Sequence, residues 1–233
     1  MRVSGVRAKL GAMTDARITA SEFDAFDLPH WRFVLQRLHT RFRTPDYDTG
    51  LALVARIGAA AQEAQHHPEI DLHYSSVGVI TSSHDVGGVT SRDIGFARTI
   101  SAIADELGAT ADPKSVQVLD MGLNTSDPSR IKPFWQALLG AETDPDDADG
   151  LRDAFGTNVV WFQRSAETST GPDAPEMRFH ADVVVADDAA PDRIAAVLAA
   201  GGRMVTEEFA PAFWVLADAD GNQACICTAQ GRD

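Results

Sequence analysis

One stretch decides the fold of the first half: His66-His67-Pro68-Glu69, a β-rich run from Ile70 to Thr81, then Ser82-Ser83-His84-Asp85-Val86-Gly87-Gly88-Val89-Thr90-Ser91-Arg92-Asp93. Pro68 disfavours helical torsions in the residue before it, so a helix should end near His66 while His67 starts an extended segment. Two adjacent histidines inside a helix would point about 100° apart, whereas this junction can aim one or both rings into a pocket at the helix end. Gly87-Gly88 suits a tight turn beside a ligand, and Thr90-x-x-Asp93 has the spacing of a capping box that opens a new helix. Each residue also has a plainer use. Imidazolium complements the carbonyl end of a helix, Asp93 can act as a cap alone, and Asp85 can simply brace the turn.

Outward from this stretch, Leu51, Val54, Ile57, Ala61 and Ala64 recur at helical spacing, with Thr44-Pro45 as N-cap and first-turn proline, so a helix is predicted up to His66. On the other side, Ile94, Ala97, Ile100, Ile103, Ala104 and Leu107 form the apolar stripe of a second helix. A short helix near Ser21 to Phe26 and strands around Trp31 to Phe42 come first. The first half therefore reads as α+β, a small antiparallel sheet with helices on one face. The run Gly108-Ala109-Thr110-Ala111-Asp112-Pro113 reads as a linker and divides the chain into units 1–112 and 113–233.

The second unit is internally repeated. Val116 to Leu123 reads as a strand, Asp127-Pro128 starts a helix and Gly140 ends it; Phe179 to Val185, Pro191 and Gly201-Gly202 repeat that order, with short strands through Ile226. Two β-α-β-β-β modules about 60 residues apart describe it. Asp144 to Asp149 reads as a solvated acidic loop and not a calcium site, since Ala148 stands at the place of the third ligand, and Asp218 to Asn222 fails the same pattern. Cys225 and Cys227 share one face of a strand and suit buried, reduced thiols better than a disulfide.

Composition is that of an ordinary globular chain, 44% apolar and 23% charged over 233 residues. The 34 acidic residues outnumber the 20 basic ones, which sets nucleic-acid binding at a disadvantage. The excess lies in the second unit, with 14 acids against 11 bases up to Asp112 and 20 against 9 after it. No apolar run approaches the roughly 18 residues that span a bilayer. Met1 to Leu10 lacks the apolar stretch of a signal peptide, so no membrane and a cytoplasmic location are expected.

The order His-His-Pro-Glu, β-rich interval, Ser-His-Asp-x-Gly-Gly-x-Thr-x-x-Asp-Ile-x-x-Ala resembles the pterin-4a-carbinolamine dehydratase family over about Ile18 to Leu107. The resemblance implies a hydro-lyase that removes water from 4a-hydroxytetrahydropterin to give quinonoid dihydropterin, with no metal and no cofactor, in pterin recycling. It places the family's active-site histidines on His66, His67 and His84 and its aspartate on Asp93. Ser83 stands where threonine is common. Trp31 falls where the family has a tryptophan lining the pterin pocket, and Glu69 and Asp85 flank the histidines as further substrate-binding candidates. Histidine titrates near pH 6.5 and can serve as acid or base, which suits two proton transfers at neutral pH. A pterin substrate and a homo-oligomer are the partners implied.

From Val116 onward, Phe134-Trp135-x-x-Leu138-Leu139-Gly140, Phe179-His180-Ala181-Asp182-Val183 and Trp214-x-Leu216-Ala217-Asp218-x-Asp220-Gly221-Asn222 resemble a glyoxalase-like domain of the vicinal oxygen chelate superfamily. That superfamily often holds a divalent metal in its cleft. Here His180 stands at a ligand place but Gln223 replaces the usual glutamate, so no metal is expected. Two other functions stay open from sequence: a glyoxalase-type enzyme with the first unit accessory, and a non-catalytic dimerisation or coactivator module.

Overall fold

Alternating core-facing residues build the first sheet, whose strands are β1 (Arg32–Val34), β2 (Arg37–Arg43), β3 (Glu69–His73), β4 (Ser76–Thr81) and β5 (Thr110–Ala111). The computed structural model describes residues 16–145, 147–154, 156–164, 179–217 and 223–232. The sheet is antiparallel, in the order β1-β2-β4-β3, with β5 pairing the far end of β2. On β2, Leu38, Thr40 and Phe42 are buried toward the helices, as period-two geometry requires.

Three helices accompany it: α1 (Ala20–Phe23), α2 (Tyr47–Ala64) and α3 (Ser91–Glu106). Leu53, Ile57 and Ala61 of α2 and Ile94, Ala97, Ile100 and Ala104 of α3 pack with Trp31, Phe42, Val77 and Val79 in one core. Burying a side chain such as Leu53 or Ile57 contributes about 1.5–3 kcal/mol.

Two details of α2 differ from the sequence expectation. Its N-cap is Asp46, whose Oδ1 accepts from Thr49 N at 2.7 Å, while Thr44 lies just past β2 with its N–H donating to Ser75 O in the β3–β4 turn. Its buried face runs through Gly50, Leu53, Ile57 and Ala61, which leaves Leu51 exposed. Gly50 leads that face because a Cβ there would come within 2.9 Å of Leu72 Cδ1. The expected linker is likewise partly structured. Gly108 takes φ +71° at the end of α3, Thr110–Ala111 pairs with β2, and Asp112 N donates to Arg41 O.

The second sheet has eight strands: β6 (Gln117–Thr125), β7 (Glu142–Thr143), β8 (Gly150–Arg152), β9 (Asn158–Arg164), β10 (Phe179–Val185), β11 (Arg203–Thr206), β12 (Phe213–Ala217) and β13 (Gln223–Cys227). With α4 (Pro128–Leu139) and α5 (Ala190–Ala199) they form the two expected β-α-β-β-β modules. Strand order is β11-β12-β13-β10-β6-β9-β8-β7; β6 and β10 meet antiparallel at the centre, while β6–β9 and β10–β13 are parallel. Asp127 caps α4, and Gly140 ends it at φ +61°. The Asp218 to Asn222 segment lies outside the described residues.

Met121 and Leu123 of β6 lie under α4, and Val183 and Val185 of β10 lie under α5. The alternate residues, Asp120 opposite Asp182, Gly122 opposite His180, and Asn124 beyond them on β6, therefore face the side without helices. One end of that open side is filled by the β1–β2 turn, where Leu35 and Gln36 both take left-handed torsions, φ 46° and 60°. Val34 and Leu35 pack there on Val116, Val118, Val184 and Cys227. Arg32 Nε donates to Asp188 Oδ1 at 3.0 Å beside this contact, and Ala229 reaches back into the first core.

Candidate active site

The end of α2 sets the first histidine. Gln65 closes the helix in a left-handed turn, φ 49°, and the His66 N–H donates to Ala61 O at 3.1 Å. This turns the His66 ring inward, edge-on to Phe96 with centroids 5.7 Å apart. Its Nε2 lies 2.7 Å from Asp93 Oδ1 and 3.0 Å from Thr81 Oγ1.

Asp93 is fully buried at the third residue of α3. Thr81 Oγ1 donates to its Oδ1 at 2.9 Å; Ser83 Oγ and the Thr90 N–H donate to Oδ2 at 2.7 and 2.9 Å. Burial opposes ionisation of Asp93, but the hydrogen bonds from His66, Ser83, Thr90 and Thr81 together outweigh it and hold its pKa below the ordinary carboxylate value. An ionised Asp93 accepts only, so the proton of a neutral His66 sits on Nε2 and Nδ1 is left with its lone pair.

His84 belongs to the turn after β4, closed by Ser83 N donating to Gly88 O and Gly88 N to Ser83 O. Gly87 takes φ +61°, a torsion that favours glycine, and Gly88 lies against the Arg17 side chain, where a Cβ would meet Cδ at 3.3 Å. The His84 side chain is exposed and lines a cavity of about 690 Å³ between the two sheets, together with Arg37, Asp120, Trp161 and Asp182. His66 and His67 are not among that cavity's walls; His67 is exposed beside Pro68. The structure thus joins His66 directly to Asp93 and ties the His84 turn to the same carboxylate through Ser83.

The flanking candidates are placed less centrally. Glu69 accepts from Arg37 Nη1 at 2.8 Å, and Asp85 accepts from Arg92 Nη2 at 2.6 Å, which lowers the Asp85 pKa. Trp31 is fully buried in the core of the first sheet, with Nε1 donating to Ser101 Oγ at 3.0 Å. Sequence reading missed Thr81, whose place at the end of β4 brings its hydroxyl between His66 and Asp93; a threonine ending the strand before Ser-Ser-His was the available signal. It also missed His39, buried on β2, where burial and then the charge of Arg37 push its pKa down to about 4.

In the second sheet, Asp120 and Asp182 stand opposite each other in register, and burial, then the charge of Asp182, raises the Asp120 pKa. His180 Nε2 lies 3.6 Å from Asp182 Oδ1, its ring edge-on to Trp161, and it fills the space above Gly122, where a Cβ would lie 2.4 Å from His180 Cε1. Cys225 and Cys227 are free thiols; the hydrogen bond with Cys227, then burial, drives the Cys225 pKa upward. Among the described residues no three His, Cys, Asp or Glu side chains are placed to hold a metal ion. With the neutral amide of Gln223 in the glutamate's place, these residues do not fit the divalent centre of the vicinal oxygen chelate superfamily.

Comparison with known proteins matches the two halves of the chain to two different family models. The family model for pterin 4 alpha carbinolamine dehydratase matches residues 12–103, and that for a glyoxalase-like domain matches residues 118–227. A relative from Thermosynechococcus vestitus, named as a pterin-4-alpha-carbinolamine dehydratase, is 36% identical over 38% of this chain and 95% of its own. One from Burkholderia orbicola with the same name is 40% identical over 34% of this chain and 78% of its own. A solved structure, the transcriptional coactivator/pterin dehydratase from Brucella melitensis, is 32% identical over 38% of this chain and 99% of that chain, with a TM-score of 0.37.

Proposed function

Because the chain belongs, through its first hundred residues, to the pterin-4-alpha-carbinolamine dehydratase family, we propose that it dehydrates 4a-hydroxytetrahydropterin to quinonoid dihydropterin and water. Residues 1–112 form the dehydratase unit in this reading and 113–233 the glyoxalase-like unit.

The carbinolamine carries a hydroxyl on the carbon bonded to N5. Dehydration breaks that C–O bond, takes the N5 proton, forms C=N and needs one proton on the departing oxygen. A general acid and a general base suffice, each contributing typically 10²–10⁴-fold. His66 and His84 carry the two transfers, His67 binds and orients the ring, and Asp93 positions His66. The observation that carries the proposal is the buried Asp93–His66 pair, which fixes the Nε2 proton and turns Nδ1 into an exchangeable site. Proton exchange at both rings requires the bound pterin to lie across the Ser82–His84 segment, between the His66 end of α2 and the cavity that His84 faces.

Family membership also supports assembly of several copies and a role in cytoplasmic pterin recycling; no helix among the described residues is long and apolar enough to cross a membrane. The test follows absorbance decay of chemically generated 4a-hydroxytetrahydropterin with the full chain and with His66→Ala and His84→Ala singly. Each variant should lose at least about 100-fold in turnover. Turnover within a few-fold of the parent in both variants overturns the mechanism.

A further inference from the structure

We propose that Arg17 binds the substrate of the dehydratase: its guanidinium forks onto the 4-oxo group and the 4a-hydroxyl of the carbinolamine and stabilises the hydroxyl oxygen as it departs. The role of this arginine rests on the dehydratase reading; its placement beside His84 rests on geometry alone.

Arg17 precedes α1 and runs against the turn that carries His84. The Ile18 N–H donates to Val89 O at 2.8 Å, which ties this segment to the end of that turn. Arg17 Nε donates to Val86 O, and the side-chain stem lies over Gly88, where a Cβ would meet Cδ and Nε at 3.3 Å. With Nε taken and the stem fixed, the two Nη groups remain to bind. Arg17, Arg37, Arg152 and Arg232 all line the cavity that His84 faces. Arg37 is paired with Glu69 at 2.8 Å and Arg152 with Asp144 at 3.3 Å. Among the described residues neither Arg17 nor Arg232 has a carboxylate partner, and Arg17 is the one tied to the His84 turn. Holding a long exposed side chain costs rotamer entropy, which one bond to a neutral carbonyl offsets poorly. An oxygen-bearing ligand in the cavity supplies the acceptors that the Nη groups lack.

The carbinolamine offers what this fork takes. Its 4-oxo group and 4a-hydroxyl sit on adjacent ring carbons, so the two oxygens can stand side by side, as the oxygens of a carboxylate do in a bidentate pair. In the reaction the C4a–O bond breaks with its electron pair on oxygen. The N5 proton goes to the general base, the N5 electrons form the C=N bond to C4a, and the general acid's proton completes the water. Arg17 gives up no proton at any stage. Its Nη–H groups donate to the oxygen on which negative charge grows, so the contact is stronger in the transition state than in the ground state. A hydroxyl held on the His84 side makes His84 the acid that protonates it and leaves the N5 proton to His66 Nδ1. The quinonoid product keeps the 4-oxo group and lacks the 4a-oxygen, so one of the two contacts is gone when it leaves.

The experiment follows absorbance decay of chemically generated 4a-hydroxytetrahydropterin with the full chain. Arg17→Ala should lower kcat about 10²–10³-fold, the loss expected when a donor to a developing oxyanion is removed. Affinity for 7,8-dihydrobiopterin, which has the 4-oxo group and no 4a-hydroxyl, should fall only about tenfold by calorimetry. Guanidinium chloride, well below denaturing concentration, should restore part of the turnover of Arg17→Ala and none of that of His66→Ala. Arg17→Lys keeps the stem and the charge without the fork, and its turnover should stay at least about tenfold below that of the parent. Parent-like kcat in Arg17→Ala or Arg17→Lys, with His66→Ala inactive, overturns the proposal and leaves the dehydratase reading in place. A parent chain without turnover sinks both. Lost turnover that guanidinium does not relieve, with faster amide exchange across residues 83–88, would make Arg17 a brace of the turn alone and likewise overturns the proposal.

Discussion

Replacing Asp93 by asparagine tests the link between the buried carboxylate and the imidazole proposed to transfer protons. Oδ1 accepts from His66 Nε2 and Thr81 Oγ1, and Oδ2 accepts from Ser83 Oγ and the Thr90 N–H. The carboxamide of Asp93→Asn supplies one acceptor and one donor where two acceptors stood. The Thr90 N–H cannot reverse its role, whereas hydroxyls rotate and imidazole can shift its proton. The amide oxygen should therefore keep the Thr90 side and the NH₂ should face His66. His66 must then accept at Nε2 and carry its proton on Nδ1, the opposite tautomer.

Hydrogen bonds to a charged group contribute about 1.5–3 kcal/mol each, and two are weakened while hydroxyl rotation recovers part, so stability should fall by about 2–4 kcal/mol. For a chain of this length that lowers Tm on the order of 10 °C. Turnover should fall much further, by about 10²–10⁴-fold at temperatures where the variant is folded, because a base at Nδ1 has become a donor. The assay pairs absorbance decay of 4a-hydroxytetrahydropterin with ¹⁵N NMR of the His66 ring. A folded variant with its proton still on Nε2, or with turnover within threefold of the parent, refutes the positioning role; a merely structural Asp93 would change Tm without moving the tautomer.

Two further outcomes follow from the same geometry. His39, with its pKa lowered from 6.5 to about 4, stays neutral when folded while the unfolded chain takes up a proton below pH 6.5. Its contribution to stability is thus complete above pH 6.5 and is lost as pH falls toward 4; urea unfolding at pH 5 should show about 2 kcal/mol less stability than at pH 7 from this residue, and His39→Gln should remove that difference. Equal pH dependence in parent and variant would contradict the buried neutral ring. At the β1–β2 turn, Gln36 holds φ 60°, which costs a side-chain-bearing residue about 1–2 kcal/mol, so Gln36→Gly should raise stability by about 0.5 kcal/mol after the extra entropy of glycine is set against it. A lower Tm in Gln36→Gly would mean that the side chain itself holds the turn against the second sheet.

Local rules made much of the architecture legible. Thr90 and Asp93 form the capping box read from their spacing, Asp127 and Gly140 bound α4 as read, and the repeated β-α-β-β-β order gave the eight-stranded sheet. The helix caps depend on residues three to fifteen apart, so a short window of sequence contains the interacting groups, whereas the sheet pairs Leu123 with Phe179 and was legible only through its repeat. Errors arose where two local signals competed. Thr44-Pro45 looked like a cap, but Thr44 bonds the β3–β4 turn through its N–H and the cap is Asp46.

The sequence by itself determined which groups are present: three imidazoles and a carboxylate in dehydratase order, and in the second unit His180 with Gln223 in place of a glutamate. Only the tertiary structure decided which of them meet. His66 and Asp93 are 27 residues apart and touch because Gln65 turns the chain inward while α3 begins under the end of β4. Trp31 went to the core, and Leu35 of one sheet closed an end of the other, for the same reason: burial is settled by the packing of distant surfaces, which no local pattern encodes.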